Sequence, residues 1–348
     1  MNEGNNQKFH LGGSIGLISA KLDMEGPIVK DKGSFLLAGR TTYVDQFLRF
    51  SSDESLNNNR LYFYDFNAKT NYTINENNRI YLSGYAGWDF LKIDDSFGLD
   101  WGNITGTLRW NHIWNNKLFS NTSLIYSDYD YKVEIADQEE DVFSLKSVIG
   151  NINLKHDFEY YLNEKNSFAF GLYGQYNSIT PGQLEVSENS TIKPPEIQER
   201  YTFETGVYLG HEWKPSEKWN ISFGARFNAF YLLGPGDFYE YTDGKVSDTI
   251  YFKSGEIVQS YYNLEPRLNM AYILNPANSF KLSYTRNTQK LHILQNSNSS
   301  TPTDIWIPYS NIVKPEIIDK ISIGYFRNFS DNKFQFSSEV FYLSLIHI

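Results

Sequence analysis

Apolar and polar residues alternate along most of this chain with a period of two. Residues 220–231 place Ile221, Phe223, Ala225, Phe227, Ala229 and Tyr231 on one face and Ser222, Gly224, Arg226 and Asn228 on the other. In 201–210, Tyr201, Phe203, Val207 and Leu209 oppose Thr202, Glu204, Gly206 and Gly210. In 261–274, Leu264, Pro266, Leu268, Met270 and Tyr272 oppose Asn263, Glu265, Arg267 and Asn269. In 79–90, Ile80, Leu82, Ala86, Trp88 and Phe90 oppose Ser83, Tyr85 and Asp89. Successive side chains of a strand point to opposite faces of its sheet, so this pattern predicts strands. Seven polar clusters punctuate it: Asp31-Lys32-Gly33, Asn75-Glu76-Asn77-Asn78, Asn115-Asn116-Lys117, Asn163-Glu164-Lys165-Asn166, Pro215-Ser216-Glu217-Lys218, Asn275-Pro276-Ala277-Asn278 and Ser330-Asp331-Asn332-Lys333. Asn, Asp, Gly and Pro favour tight turns because they tolerate positive φ or preset it. The clusters lie about 40 to 60 residues apart, the length of two long strands and a loop. Seven turns predict about 14 strands: 14–30, 34–48, 58–74, 79–92, 99–113, 118–136, 144–162, 167–179, 200–214, 219–233, 260–274, 279–289, 316–329 and 334–342. A propeller blade would instead hold four short strands per repeat.

Two architectures satisfy the alternation. A soluble sandwich would bury the apolar face and wet the polar one. A membrane barrel would turn the apolar face to lipid and the polar face to its lumen. Strands of about 12 to 18 residues exceed the usual soluble length and suit a tilted bilayer crossing. The connections are also unequal. One end carries only tight turns, and the other carries loops of about 20 residues or more at 180–199, 234–259 and 290–315. Short periplasmic turns with long extracellular loops are the outer-membrane arrangement. Trp114, Trp213 and Trp219 flank the tight turns, where an interfacial aromatic girdle belongs. The expected fold is therefore all-β: an antiparallel transmembrane β-barrel.

Composition narrows the function. The 348 residues contain no cysteine, which removes disulfides, thiolate zinc sites and a thiol nucleophile. The net charge of −10 and the lack of a basic run argue against nucleic acid as a partner. Aromatic residues make up 17% of the chain, too many for a disordered one. No apolar run approaches the ~18 residues of a membrane helix. The opening MNEGNNQKFH is not a signal peptide, so an exported protein would begin upstream. Residues 1–342 read as one partial barrel domain. Leu343–Ile348 (LSLIHI) reads as a non-native tail from an adapter sequence.

Three blocks carry a family resemblance. Gly12 to Tyr43, Asn263 to Leu274 (NLEPRLNMAYIL) and Leu291 to Phe329 resemble, in order and spacing, barrel segments of TonB-dependent outer-membrane receptors of Gram-negative bacteria. The resemblance implies a 22-stranded barrel around an N-terminal plug. It implies import driven by a TonB-type inner-membrane energy transducer, with siderophore, cobalamin, glycan or peptide as the nutrient ligand. It admits a surface lipoprotein as a further partner and outer-membrane lipid as the surroundings. About 14 of those 22 strands are expected here, with the plug and the partner box outside the sequence. A passive porin or a non-transport surface barrel is the alternative.

No catalytic pattern emerges, and neither an enzyme nor a cofactor is expected. The six histidines (His10, His112, His156, His211, His292, His347) have no HxxxH or HExxH spacing and read as wall or interface residues. Gly12-Gly13-Ser14-Ile15-Gly16 lacks the following helix that a phosphate cradle needs. The acidic run Asp137 to Asp141 lacks the ligand spacing and central Gly of a calcium loop and reads as a solvated tip. Ligand-binding candidates are the polar-face residues Arg226, Glu265 and Arg267, with Glu204 beside them. The loop residues Trp306 and Tyr309 join them, with Pro308 between, because rigid aromatics among polar groups suit ligand capture. The competing readings are a structural polar network for the charges and loop packing for the aromatics.

Overall fold

The computed structural model describes residues 3–52, 54–94, 96–136, 142–186, 193–194, 197–294, 304–330 and 333–346. Fifteen strands form one antiparallel sheet in which nearly every strand pairs with its neighbours in sequence. These are β1 (His10–Ile15), β2 (Ser19–Val29), β3 (Gly33–Thr42), β4 (Arg60–Asn75), β5 (Asn78–Ile93), β6 (Phe97–Asn115), β7 (Leu118–Ala136), β8 (Val142–Asn163), β9 (Asn166–Val186), β10 (Arg200–Ser216), β11 (Trp219–Leu233), β14 (Ile257–Asn275), β15 (Asn278–Gln289), β18 (Glu316–Phe329) and β19 (Phe334–Ile346). Between them sit two short hairpins, β12 (Gly236–Thr242) with β13 (Lys245–Phe252) and β16 (Leu291–Leu294) with β17 (Ile305–Pro308). Two single-turn helices, α1 (Asp45–Leu48) and α2 (Glu54–Asn57), lie between β3 and β4. No helix is long and apolar enough to cross a membrane. Among the described residues β1 and β19 do not pair with each other, so the sheet is open.

All seven expected turns join consecutive strands at the same end of the sheet. At four of them an Asn side chain sets the turn. Asn75, Asn115, Asn163 and Asn275 each accept a hydrogen bond at 2.9–3.0 Å from the backbone N–H two residues on, so the short amide substitutes for a backbone turn. At Asp31 and Ser330 the backbone adopts φ of 66° and 50°, which explains why small polar residues sit there.

The other end departs from expectation in four places. The first strand is two: β1 and β2 fold back on each other at Gly16, whose N–H donates to Ser19 O at 2.8 Å. The sheet thus has 15 strands rather than 14. The strand expected over 34–48 stops at Thr42, and α1 follows from Asp45. β9 continues to Val186, past the expected end at 179, because a shift in its register with β8 and φ of 122° at Gly182 absorb the Pro181-Gly182 interruption. The loops over 234–259 and 290–315 hold the two hairpins. The acidic run 137–141, the loop residues 295–303, Asp331, Asn332 and His347 lie outside the described residues. Residues 343–346 continue the β18–β19 ladder, with Leu343 opposite Lys320 and Ile346 opposite Ile317.

The two faces have opposite character. The apolar stripes stay uncovered: Phe227 is 46% exposed and Leu264 57%. The opposite face encloses polar groups, among them Asn71, Ser147, Thr202, Glu204, Asn228 and Glu265. A soluble sandwich would show the reverse. The apolar band is bounded. On β7 the outward positions run Leu118, Ser120, Thr122, Leu124 and Tyr126, then Asp128, Asp130, Lys132 and Glu134. The first five span about 9 residues, the length of a tilted crossing, and the charged ones project beyond it. Aromatic rings mark both borders. Near the turns, Trp219 packs on Tyr272 (4.6 Å), His112 on Trp114 (4.5 Å), and Phe280 on Tyr325 (5.0 Å). Toward the loops, Tyr64 packs on Trp88 (5.5 Å) and Tyr231 on Tyr262 (6.3 Å). Rings that are apolar in body and polar at the tip settle at a membrane–water interface.

Candidate functional site

The inner face of β9, β10, β11, β14 and β15 carries a chain of charged and hydroxyl groups in the outer half of the wall. Strand register places them side by side. Glu265 on β14 stands opposite Arg226 on β11, Arg226 opposite Tyr208 on β10, and Tyr208 opposite Gly171 on β9. Gly171 matters here, because a Cβ would lie 2.9 Å from the Tyr208 hydroxyl. Its bare backbone lets that ring cross to Asp157 on β8, to which the hydroxyl donates. Asp157 also pairs with Lys155 at 3.0 Å.

Two carboxylates organise the rest. Glu204 is held by Lys290, just past the end of β15, and by the Tyr173 hydroxyl from β9. That hydroxyl is 2.7 Å from the side-chain oxygen of Asn228, which is completely buried. Glu265, only 3% exposed, accepts from Thr288 N–H at 3.1 Å and Thr288 Oγ1 at 2.7 Å, and lies 3.8 Å from Arg267. Arg267 also donates to Asn287 Oδ1 at 3.1 Å. Buried carboxylates are tolerated because each finds donors and a cation. Of the charges read from sequence, the structure joins Glu265 directly to Arg267 and sets Arg226 opposite Glu265. Glu204 takes Lys290 as its partner.

Above this network the loops form a small core of their own. Tyr309 has no exposed surface. Its ring packs against Phe230 (5.2 Å), His292 (5.2 Å) and Tyr261 (6.1 Å), with Leu232 and Phe238 completing the cluster. Burial pushes the Tyr309 hydroxyl well above the usual phenol range. The Tyr261 hydroxyl donates to Ser310 O at 2.7 Å, and Asn311 Nδ2 donates to Tyr239 O at 2.8 Å, tying the β17–β18 connection to β14 and to the β12–β13 hairpin. The Tyr309 ring is therefore enclosed in loop packing. Trp306 sits on β17, half-buried, opposite Ile293.

Several participants escaped the sequence reading. Tyr173 and Tyr208 follow from the alternation, being flanked by the outward Leu172 and Val207, whereas Asn228 stands on the polar face read from sequence without being singled out there. Tyrosine on a polar stripe gives no distinguishing signal, however, because it serves either face. Lys290 and Thr288 lay at a strand end, where period-two reasoning stops. Among the described residues no group of three or more His, Asp or Glu is arranged to hold a metal ion.

An antiparallel sheet of long strands, apolar without and polar within, turned tightly at one end and looped at the other, is the wall of an outer-membrane β-barrel. The comparisons narrow the class. The family model described as TonB dependent receptor-like, beta-barrel, matches residues 30–345, and the chain belongs to that family and to the outer membrane. Among solved structures it is similar to the ferric-catecholate import receptor Fiu from E. coli K12 in closed form (12% identity, TM-score 0.66). That match covers 99% of this chain and 59% of the receptor. It is similar to the copper transporter OprC (11%, 0.67, covering 97% and 54%). It is also similar to the alcaligin outer-membrane receptor FauA from Bordetella pertussis (13%, 0.61, covering 97% and 50%). At such identities the likeness is one of fold. The chain spans between half and three-fifths of the length of these proteins. No curated protein matched the sequence.

Proposed function

We propose that this chain is wall and loop structure of an outer-membrane receptor that imports a scarce nutrient with energy delivered from an inner-membrane partner of the TonB type. The observation that carries the reading is the polar network on the inner face at Tyr173, Glu204, Arg226, Glu265 and Lys290, with the small core around Tyr309 above it. Loops capture the ligand at the outer surface, and the inner network then presents fixed charges along its path. The names of the similar structures, which concern ferric catecholate, copper and alcaligin, favour a metal or metal chelate as the substrate class. Trp306 and the inner-wall Arg226 and Arg267 are the proposed ligand contacts; the enclosed Glu265 is proposed to position Arg267, and Tyr309 to hold the loops.

The test is uptake by cells carrying the complete reading frame as their only receptor. Growth on a limiting siderophore, cobalamin, glycan or peptide is expected to require both the receptor and the inner-membrane transducer. Growth that persists when the transducer is deleted would favour a passive porin and overturn the reading.

A further inference from the structure

The inner-wall charges do not balance around Arg226. Lys155 pairs with Asp157, Lys290 with Glu204, and Arg267 with Glu265. Arg226 has no ion-pair partner among the described residues. Its Nε is fully enclosed and finds no hydrogen-bond acceptor there. Glu265 stands directly opposite in the ladder, but Thr288 and Arg267 already engage that carboxylate. What Arg226 does have is aromatic faces. Its guanidinium lies 5.8 Å from the ring centres of both Tyr173 and Tyr208. Cation–π contacts hold a guanidinium in place without neutralising it.

Beside it the wall is hollow. A groove of roughly 280 Å³ is lined by Tyr208, Gly210, Ser222, Gly224, Arg226 and Arg267, among others. Its floor is bare for a structural reason. A Cβ on Gly224 would lie 2.5 Å from Leu209 O and 2.8 Å from the Gly210 Cα. Arg267 sits opposite Gly224, one inward position from Arg226 on the neighbouring strand, so two guanidinium groups border one glycine floor.

We infer that this groove is an anion subsite, in which Arg226 supplies the charge and Arg267 the second fork for a carboxylate or another planar oxyanion. A fork of fixed donors matches such an anion bidentately, and a partly buried cation gains more from a charged partner than a fully exposed one. The volume falls just below that of whole-ligand pockets, so it fits one acidic arm of a ligand rather than a complete drug-sized molecule. This rests on the reading that the inner face lies on the ligand's path, and it adds that the ligand presents an acidic arm there.

The test uses the full-length receptor purified in detergent at low ionic strength. Succinate is the probe and uncharged succinamide its control. Succinate is expected to shield Arg226 from phenylglyoxal, read by peptide mass, whereas succinamide does not. Arg226→Gln is expected to weaken succinate binding in calorimetry at least tenfold, with Arg226→Lys retaining part of it. Equal succinate binding by wild type and Arg226→Gln overturns the proposal. So does an Arg226 that resists phenylglyoxal with and without succinate, the result expected if a carboxylate from elsewhere in the receptor already fills the groove. Should Arg226→Gln not fold, protection of the wild-type residue decides alone. Transducer-independent uptake would sink the transport reading and leave the subsite standing.

Discussion

Single residues on the inner wall are held by partners they could not do without. Glu204 is nearly enclosed, and Lys290 is its cation. Removing one member of a mostly buried pair leaves an uncompensated charge, which costs about 3 kcal/mol in closed sites and less where water reaches. Glu204→Gln is therefore expected to loosen the segment after β15 by about 1–2 kcal/mol. Hydrogen exchange at 290–294 and 304–310 should quicken while β10 stays protected; unchanged exchange would mean the pair holds nothing. Tyr309 makes a second case. Deleting a fully buried ring costs about 3 kcal/mol or more, so Tyr309→Ala should melt the loop core without unfolding the wall. Its raised hydroxyl adds a pH dependence. The neutral form is favoured in the folded loop, so that stabilisation is whole below the free phenol pKa of about 10 and fades as pH rises through the higher folded value. The Tyr309→Phe loop should lose this alkaline fading.

At the scale of strands, the border between apolar and charged outward positions is a quantitative claim. On β11, Trp219 and Tyr231 bracket Ile221, Phe223, Ala225, Phe227 and Ala229, about 12 residue steps, or roughly 40 Å along a strand tilted near 45°. That projects to about the thickness of a hydrocarbon core. Phe223→Arg should then cost about 2–4 kcal/mol in refolding titrations of the full-length receptor into vesicles. Asp130→Arg, beyond the band on β7, should cost less than ~1 kcal/mol. Equal costs at the two sites would misplace the membrane. The turns that fix these strands were legible because Asn and Pro clusters act locally. The loop end was harder. Gly16-Leu17-Ile18 turns the chain with apolar residues, so β1 merged with β2 in the alternation. The β12–β13 hairpin closes on Asp243-Gly244, with φ of 51° and 74°, a signal that was present but lay within a stretch read only as loop. Tyr43-Val44-Asp45-Gln46-Phe47-Leu48 breaks the alternation, pairing apolar with apolar and polar with polar, and its last four residues wind into α1.

For the whole molecule, alternation alone separated the two faces but not their solvents; strand length and the inequality of the two ends decided that. What no local pattern could supply was which inner residues meet. Ladder neighbours such as Glu265 and Arg226 need register, and Lys290 reaches Glu204 across strands 86 residues apart in sequence. Water lies on the side of Ser222, Asn269 and Ser283, and lipid on the side of Phe223, Phe227 and Leu264.

The described chain has no cysteine, so single cysteines at these six positions are unambiguous reporters once any others in the full-length receptor are replaced. In proteoliposomes, spin labels at 222, 269 and 283 are predicted to be relaxed by a water-soluble nickel chelate, and those at 223, 227 and 264 by oxygen dissolved in lipid. The opposite pattern, or labels at 223, 227 and 264 shielded from both, would place the apolar stripe inside a protein core and contradict the account.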